Sequence, residues 1–226
     1  AASRAIPGRF VAATAISPSY PSSDLSLVKK FCSDRKVDLR IIETTEFKDP
    51  DFLANPDDRC YFCKKNLYSS FVKLADERDL NFVVEGTNLE DLGGHRPGYR
   101  ASKENPRVTT PLIDCGFTKE DVRAAASFFS LPSAEKPSSA CLASRVPTGV
   151  SLSAELMLRI DSAEDFLRSL GISQARVRHH GEIARIEINR DEFGICIESG
   201  ERVHEELRRL GWKFVTLDII GYRSGG

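Results

Sequence analysis

RFVAATAI, residues Arg9 to Ile16, is a nearly unbroken apolar run behind a single charge, and its reading decides the fold. A run this short, closed by the Pro/Ser turn SPSYPSS, reads as a buried strand. Asp24 to Ser33 follows as a short helix, and Val37 to Ile42 (VDLRII) as a second strand. Cys63 to Asp79 carries Leu67, Phe71, Leu74 and Ala75 at helical spacing, and Asn81 to Glu85 (NFVVE) is a third strand ending at Gly86. Strands alternating with helices of this length predict parallel βαβ units, hence an α/β fold whose sheet is covered on both faces. Ligands of such sheets bind beyond the carboxyl ends of the strands. Ala15 to Ser19 and Glu85 to Asn88 are therefore expected on the rim of one crevice. The chain opens almost directly on a strand, where a domain of this type normally begins with one more strand–loop–helix unit.

Downstream, Thr118 caps a helix running to Ser130, with Asp121 three residues on. Leu131 to Gly149, rich in Pro and Ser, reads as a structured loop or domain junction. Beyond it the pattern changes. Ser153 to Leu170 places Leu156, Ile160, Ala163, Leu167 and Leu170 on one helical face, with Gly171 ending the helix. Two strands follow, Ala175 to His179 and Ile183 to Ile188, turning at Gly181-Glu182. A helix from Glu201 to Leu210 and a strand from Phe214 to Ile220 complete a small α+β tail, with the boundary near residue 148.

The 226 residues are 41% apolar and 29% charged, ordinary for a soluble globular protein. No apolar run is long enough to span a membrane, and the first ten residues lack the pattern of a secretory signal. Net charge is −1, from 32 basic and 33 acidic residues, which argues against nucleic acid as the main partner. Six cysteines are too sparse for a disulfide scaffold, and with no export signal they point to a reducing cytoplasm.

Cys60-Tyr61-Phe62-Cys63 is expected just before a helix, and Cys141 stands in KPSSACLASR. Three readings of this set are open. A thioredoxin-type redox pair also begins a helix, but directly after a strand, whereas NPDDR precedes Cys60. A structural zinc site needs four ligands, and no second Cys-x-x-Cys or His pair follows at finger spacing. A [4Fe–4S] cluster held by three cysteines leaves one iron open for a sulfide or substrate. Cys32, Cys115 and Cys196 read as small core residues.

Glu85-Gly86-Thr87-Asn88 ends a strand with a glycine that admits close backbone approach and two donors suited to phosphate or ribose oxygens. Arg96 and Arg100 follow in DLGGHRPGYR; they suit bidentate binding of phosphate or carboxylate, or else are solvated surface arginines. In RVRHH, Arg176, Arg178 and His180 share one strand face, a phosphate site or a charged edge strand. Glu164, Glu187 and Asp191 are acidic residues able to bind Mg²⁺ near such a phosphate. His180 is a possible catalytic base, although a lone histidine is more often structural.

Six stretches together resemble the ATP-dependent sacrificial sulfur transferases of the LarE family, within the PP-loop (N-type ATP pyrophosphatase) superfamily. They are AISPSYP at 15–21, NPDDRCYFCKKNLY at 55–68, VVEGTNLEDLGGHRPGYRA at 83–101, KPSSACLASRVPTG at 136–149, RVRHHGEIARIEI at 176–188 and LDIIGYRSG at 217–225. The resemblance implies a Rossmann-like PP-loop domain over 1–148 and a substrate-binding α+β domain over 149–226. It implies adenylation, by ATP and Mg²⁺, of a carboxylate of pyridinium-3,5-biscarboxylic acid mononucleotide. Sulfur then displaces AMP to leave a thiocarboxylate, a step towards a nickel-pincer nucleotide cofactor. Members with one cysteine sacrifice its sulfur, whereas members with three are held to carry a [4Fe–4S] cluster. Cys60, Cys63 and Cys141 match those three positions. By the same matching Glu85, Gly86, Thr87, Asn88 and Arg100 face ATP, Arg176 and Arg178 hold the substrate phosphate, and Glu164 and Glu187 are metal ligands. The family's assembly, trimers of dimers, makes a homo-oligomer the expectation.

One departure stands out. The family opens with an SGGxDS loop that cradles the ATP phosphates, and no such sequence occurs in this chain. The expectation is a fragment lacking its first strand and phosphate loop, or a natural truncation that binds ATP poorly. A tRNA-thiolating enzyme and a non-catalytic metal- or nucleotide-binding remnant are the competing functions.

Overall fold

A computed structural model describes residues 2–93, 96–135 and 140–223. The chain separates into two units: Ala1–Ser17 with Lys29–Ser138, and Pro18–Val28 with Ser139–Gly226. Cys141 and its loop thus belong to the second unit, whereas a cut near residue 148 leaves them in the first. Ser19 belongs there too, apart from the rest of the expected crevice rim.

The first unit is α/β. β1 (Ala12–Ile16) pairs in parallel with β2 (Leu39–Glu43), and β3 (Val83–Val84) in parallel with β4 (Val108–Thr109). Helix α1 (Ser22–Asp34) connects the first two strands, and α2 (Arg59–Glu77) leads into β3. α2 stops where Asp79 takes a left-handed backbone, φ 54°. A short helix α3 (Pro97–Lys103) packs on α2, and α4 (Lys119–Phe128) closes the unit. Thr118 and Asp121 cap α4 reciprocally, each side chain accepting from the other's backbone N–H. Helical segments of four residues occur at Ala2–Ala5, Pro50–Leu53 and Pro111–Asp114.

Among the described residues the two strand pairs do not join into one sheet. Both border a cavity of about 1160 Å³, lined by Val11, Ala13, Phe71, Leu74, Phe82 and Val84 among others. β1 is consequently half-buried along its whole length, not buried as its composition implies, because a partner covers only one of its edges. The core of this unit is thin: Phe52, Tyr68, Ala75 and Ala101 are its buried apolar side chains around α2 and α3, with Cys32 on α1.

The second unit buries far more. α5 (Ala154–Ser169) starts at Ser153, whose hydroxyl accepts from the Leu156 N–H at 3.0 Å, a cap worth about 1 kcal/mol. It packs on an antiparallel hairpin of β5 (Ala175–His180) and β6 (Ile183–Ile188). β7 (Phe214–Leu217) adds to β6 in parallel, giving the order β5-β6-β7. Met157, Ile160, Ala163 and Leu167 are buried with Ala175, Val177, Ala184, Ile186, Ile188, Leu207 and Trp212 in one core. The apolar run GICI forms helix α6 (Phe193–Glu198), followed by α7 (Gly200–Arg209).

Candidate functional site

The Cys-x-x-Cys lies inside the first turn of α2, which begins at Arg59, rather than ahead of the helix. Residues three apart on a helix share a face, so Cys60, exposed, and Cys63, half-buried, project side by side. α3 sits directly on this turn because Gly98 has no side chain. A Cβ there would lie 3.1 Å from Lys64 Cγ and 3.5 Å from the Cys60 carbonyl oxygen. The contact brings the Arg100 guanidinium over the Tyr61 ring at 3.8 Å, with Asp58 at 3.6 Å and Glu104 at 3.7 Å. The Tyr61 hydroxyl donates to Glu104 at 2.7 Å.

Further along α2, Glu85 gathers a second cluster. Its carboxylate accepts from Lys64 Nζ at 2.9 Å, from the Thr87 hydroxyl at 2.8 Å and from the Tyr68 hydroxyl. Burial pushes the Glu85 carboxyl up, but the donors Tyr68, Lys64 and Thr87 outweigh it and hold the group below its usual range. Burial and the same carboxylate drive the Tyr68 phenol well above its ordinary value. Asn88 caps the turn Leu89–Leu92 in a reciprocal box with Asp91, and open space surrounds Gly86. Glu85 and Thr87 are thus bonded to each other, while Arg100 pairs instead with Asp58, Glu104 and the Tyr61 ring. Lys64 and Tyr68 join them unforeseen; their spacing of four on one helix is the signal that points to them.

In the second unit the loop Cys141–Arg145 is held from beneath. Cys141 is exposed, whereas the Arg145 and Glu164 side chains are each 1% exposed. Arg145 Nε and Nη2 donate to the two Glu164 oxygens at 2.8 and 3.0 Å. Its Nη1 donates to the carbonyls of Ala140 at 2.8 Å and Cys141 at 2.9 Å, and to Ser144 Oγ at 3.0 Å. The Leu142 N–H donates to the Ser19 carbonyl at 2.8 Å. Arg145 does not stand out in the sequence as a site residue, and Ser19 does so only as the end of the expected crevice rim.

Arg176 and Arg178 flank Val177 on β5, as the alternation requires. Arg178 Nε donates to Glu187 at 2.9 Å and its Nη1 to the Ser144 carbonyl at 3.0 Å, so the arginine strand and the Cys141 loop are joined. Arg176 is nearly buried beneath the Tyr222 ring at 5.6 Å, and burial followed by the Arg145 charge lowers its pKa. His180 is exposed; burial of part of its ring, then Arg185 and Arg178, lowers its pKa.

The carboxylates expected to bind Mg²⁺ do not fit that ion. Glu164 spends both oxygens on Arg145, and Oε1 also accepts the Val177 N–H at 3.0 Å. Glu187 is bound by Arg178 and, at 2.7 Å, by Arg185. A cation at either would have to displace an arginine. Within either unit, no three His, Cys, Asp or Glu among the described residues gather into a metal-binding group. The donor set Cys60, Cys63 and Cys141 does fit a thiolate-held group in its chemistry. None of the three is in a disulfide, two share a helix face, and the third is exposed on a fixed loop. Cys32 and Cys196 are buried as expected, but Cys115 is exposed and so is no core residue. Gly94 and His95, and Lys136 to Ser139 ahead of Cys141, lie outside the described residues.

No family model matches the chain. An uncharacterized protein of Synechocystis is 36% identical over 218 residues, covering 95% of this chain and 81% of that protein. Pyridinium-3,5-bisthiocarboxylic acid mononucleotide synthase of Lactiplantibacillus plantarum is 36% identical over 171 residues, 76% of this chain and 62% of the synthase. The chain thus spans less than two thirds of that enzyme's length. An uncharacterized protein of Methanocaldococcus jannaschii is 31% identical over 172 residues, 76% of this chain and 67% of that protein.

Proposed function

Since the chain belongs to the LarE family, we propose that it replaces a carboxylate oxygen of pyridinium-3,5-biscarboxylic acid mononucleotide with sulfur, a step in nickel-pincer cofactor biosynthesis. The observation that carries this reading is the bond from Arg178 to the Ser144 carbonyl, which joins a strand suited to a nucleotide phosphate to the loop bearing an exposed thiol.

The chemistry follows from the electrophile. A carboxylate resists nucleophiles, so one of its oxygens first attacks the α-phosphorus of ATP, and pyrophosphate leaves. In the acyl adenylate the carbonyl carbon is electrophilic. A sulfur nucleophile adds there and AMP departs with the electron pair of the C–O bond, leaving a thiocarboxylate. Arg176 and Arg178 supply the positive charge that holds the substrate phosphate. Glu85, Gly86, Thr87, Asn88 and Arg100 face ATP in a Rossmann-like PP-loop domain, where Lys64 and Tyr68 hold the Glu85 carboxylate in place. Cys60, Cys63 and Cys141 would hold a [4Fe–4S] cluster, which would supply the sulfide-level sulfur for this exchange. Thiolates of this kind persist in a reducing cytoplasm. Further copies of the chain complete a homo-oligomer. No step is assigned to Mg²⁺ on Glu164 or Glu187.

Incubating the protein, anaerobically loaded with iron and sulfide, with ATP and the biscarboxylic nucleotide tests this directly. Mass spectrometry should find the nucleotide with one oxygen exchanged for sulfur, and AMP and pyrophosphate in solution. AMP without thiocarboxylate, or thiocarboxylate formed equally well by Cys141→Ala, contradicts the assignment.

A further inference from the structure

Arg145 and Glu164 are buried and mutually paired, yet the sulfur-transfer chemistry above uses neither. A buried ion pair is weak evidence for stability, since apolar residues of similar volume often serve as well. What an arginine offers uniquely is a rigid fork of donors with fixed directions. Here one side of the fork grips Glu164, and Nη1 turns the other way to the carbonyls of Ala140 and Cys141. Glu164 in turn accepts the backbone N–H of Val177, the residue between Arg176 and Arg178. A continuous line of bonds therefore runs from the Cys141 carbonyl through Arg145 and Glu164 to the middle of the arginine strand.

We propose that the Arg145–Glu164 pair is a positioning element that fixes the Cys141 backbone relative to Arg176 and Arg178, and so sets the sulfur site against the bound nucleotide. The role rests on the sulfur-transfer reading. Arg145 and Glu164 touch neither substrate nor sulfur: Arg145 acts through the Ala140 and Cys141 carbonyls, and Glu164 through the Val177 N–H and the Arg176 guanidinium 3.8 Å away. Cys141 caps a single 3₁₀ turn, Leu142–Arg145, too short to hold its own position without outside bonds, and a displacement of about 1 Å at a reacting group costs on the order of 100-fold in rate.

The test removes both charges together, Arg145→Met with Glu164→Gln, so that neither member of the pair faces an empty partner; the Gln keeps a carbonyl acceptor for the Val177 N–H and beside Arg176, whose Nη1 lies 3.8 Å from the Glu164 carboxylate. The double variant should unfold close to the wild-type midpoint. Its kcat for thiocarboxylate formation should fall on the order of 100-fold, with KM for the nucleotide unchanged, because Arg176 and Arg178 remain. Amide exchange at Leu142 and Ser144, whose N–H groups bond Ser19 and Cys141 in the wild type, should accelerate. Wild-type kcat, unchanged exchange, or a raised KM with kcat preserved overturns the proposal. Should the double variant fail to fold, Arg145→Lys decides. One ammonium cannot span Glu164 and both carbonyls, so wild-type kcat and exchange in that variant overturn it as well. A wild-type protein that forms no thiocarboxylate at all defeats the sulfur-transfer reading, and the exchange comparison still decides whether the pair orders the loop.

Discussion

Trp212 donates its indole N–H to Nδ1 of His179 across 3.1 Å. The indole is buried and has no other use for its hydrogen in the core, so His179 must present a lone pair there and carry its own hydrogen, if any, on Nε2. Two elements distant in sequence, β5 and the segment after α7, are tied by this bond.

The half-buried setting of His179 makes the second unit acid-sensitive. Burial, then the charges of Arg159 and His180, lower the His179 pKa below its ordinary 6.5. The unfolded chain therefore takes up a proton at a pH where the folded one does not, and folding stability declines as pH falls from 6.5 through the folded value. Thermal unfolding followed against pH should show this decline. His179→Gln should flatten it; an unchanged slope would mean that other groups govern it.

Gly221 should tolerate no side chain. It sits at φ 79°, and a Cβ would lie 2.8 Å from the Ile188 carbonyl oxygen. The next residue, Tyr222, donates its N–H to that same carbonyl at 2.8 Å and lies under Arg176. Gly221→Ala is expected to cost about 1–3 kcal/mol of strain in urea unfolding. It should also weaken nucleotide binding by releasing Tyr222 from the guanidinium.

Tyr68→Phe should destabilise the first unit by about 1–3 kcal/mol, because a nearly buried carboxylate loses a donor. Glu85, held below its ordinary 4.5, contributes stability above that pH that is lost on further acidification through its folded value. In the variant this loss should be smaller, as read from unfolding midpoints between neutral and acid pH.

Anaerobic reconstitution with iron and sulfide separates the readings of the cysteines. The wild type should gain charge-transfer absorbance and bind iron, and Cys60→Ala, Cys63→Ala and Cys141→Ala should each lose it. Full absorbance in Cys141→Ala would leave only the helix pair as ligands. Tight zinc uptake by the wild type, with no cluster formed, would favour the structural metal site.

Local chemistry was the most legible part of this chain. Thr118 with Asp121, Ser153 and Gly171 announce helix ends, because caps act within a few residues. RVRHH and IARIEI, separated by Gly181-Glu182, announce a hairpin. GICI, helical within Phe193–Glu198, carries no element signal of its own, since a short apolar run fits strand or helix alike. The Arg145–Glu164 pair was invisible for a different reason. An arginine bound for the core has the same letter as one bound for solvent, and its partner lies 19 residues away on another element. Cys115 erred the other way, a thiol read as core that the end of a helical turn leaves outside. The strand RFVAATAI was recognised, but its burial was overestimated, since burial depends on neighbours that no local pattern specifies.

The cavity between the two strand pairs bears on how the protein behaves in concentrated solution. Among the described residues β1 pairs only with β2 and β3 only with β4, and Phe82 and Val84, which line the cavity, are 57% and 64% exposed. Edges of this kind template further strands. A segment of matching pattern, including one from a neighbouring copy, finds hydrogen-bond partners already aligned and an apolar bed beneath them. A charged residue at Val84 should therefore raise the solubility of this chain without touching the cysteines or the arginine strand.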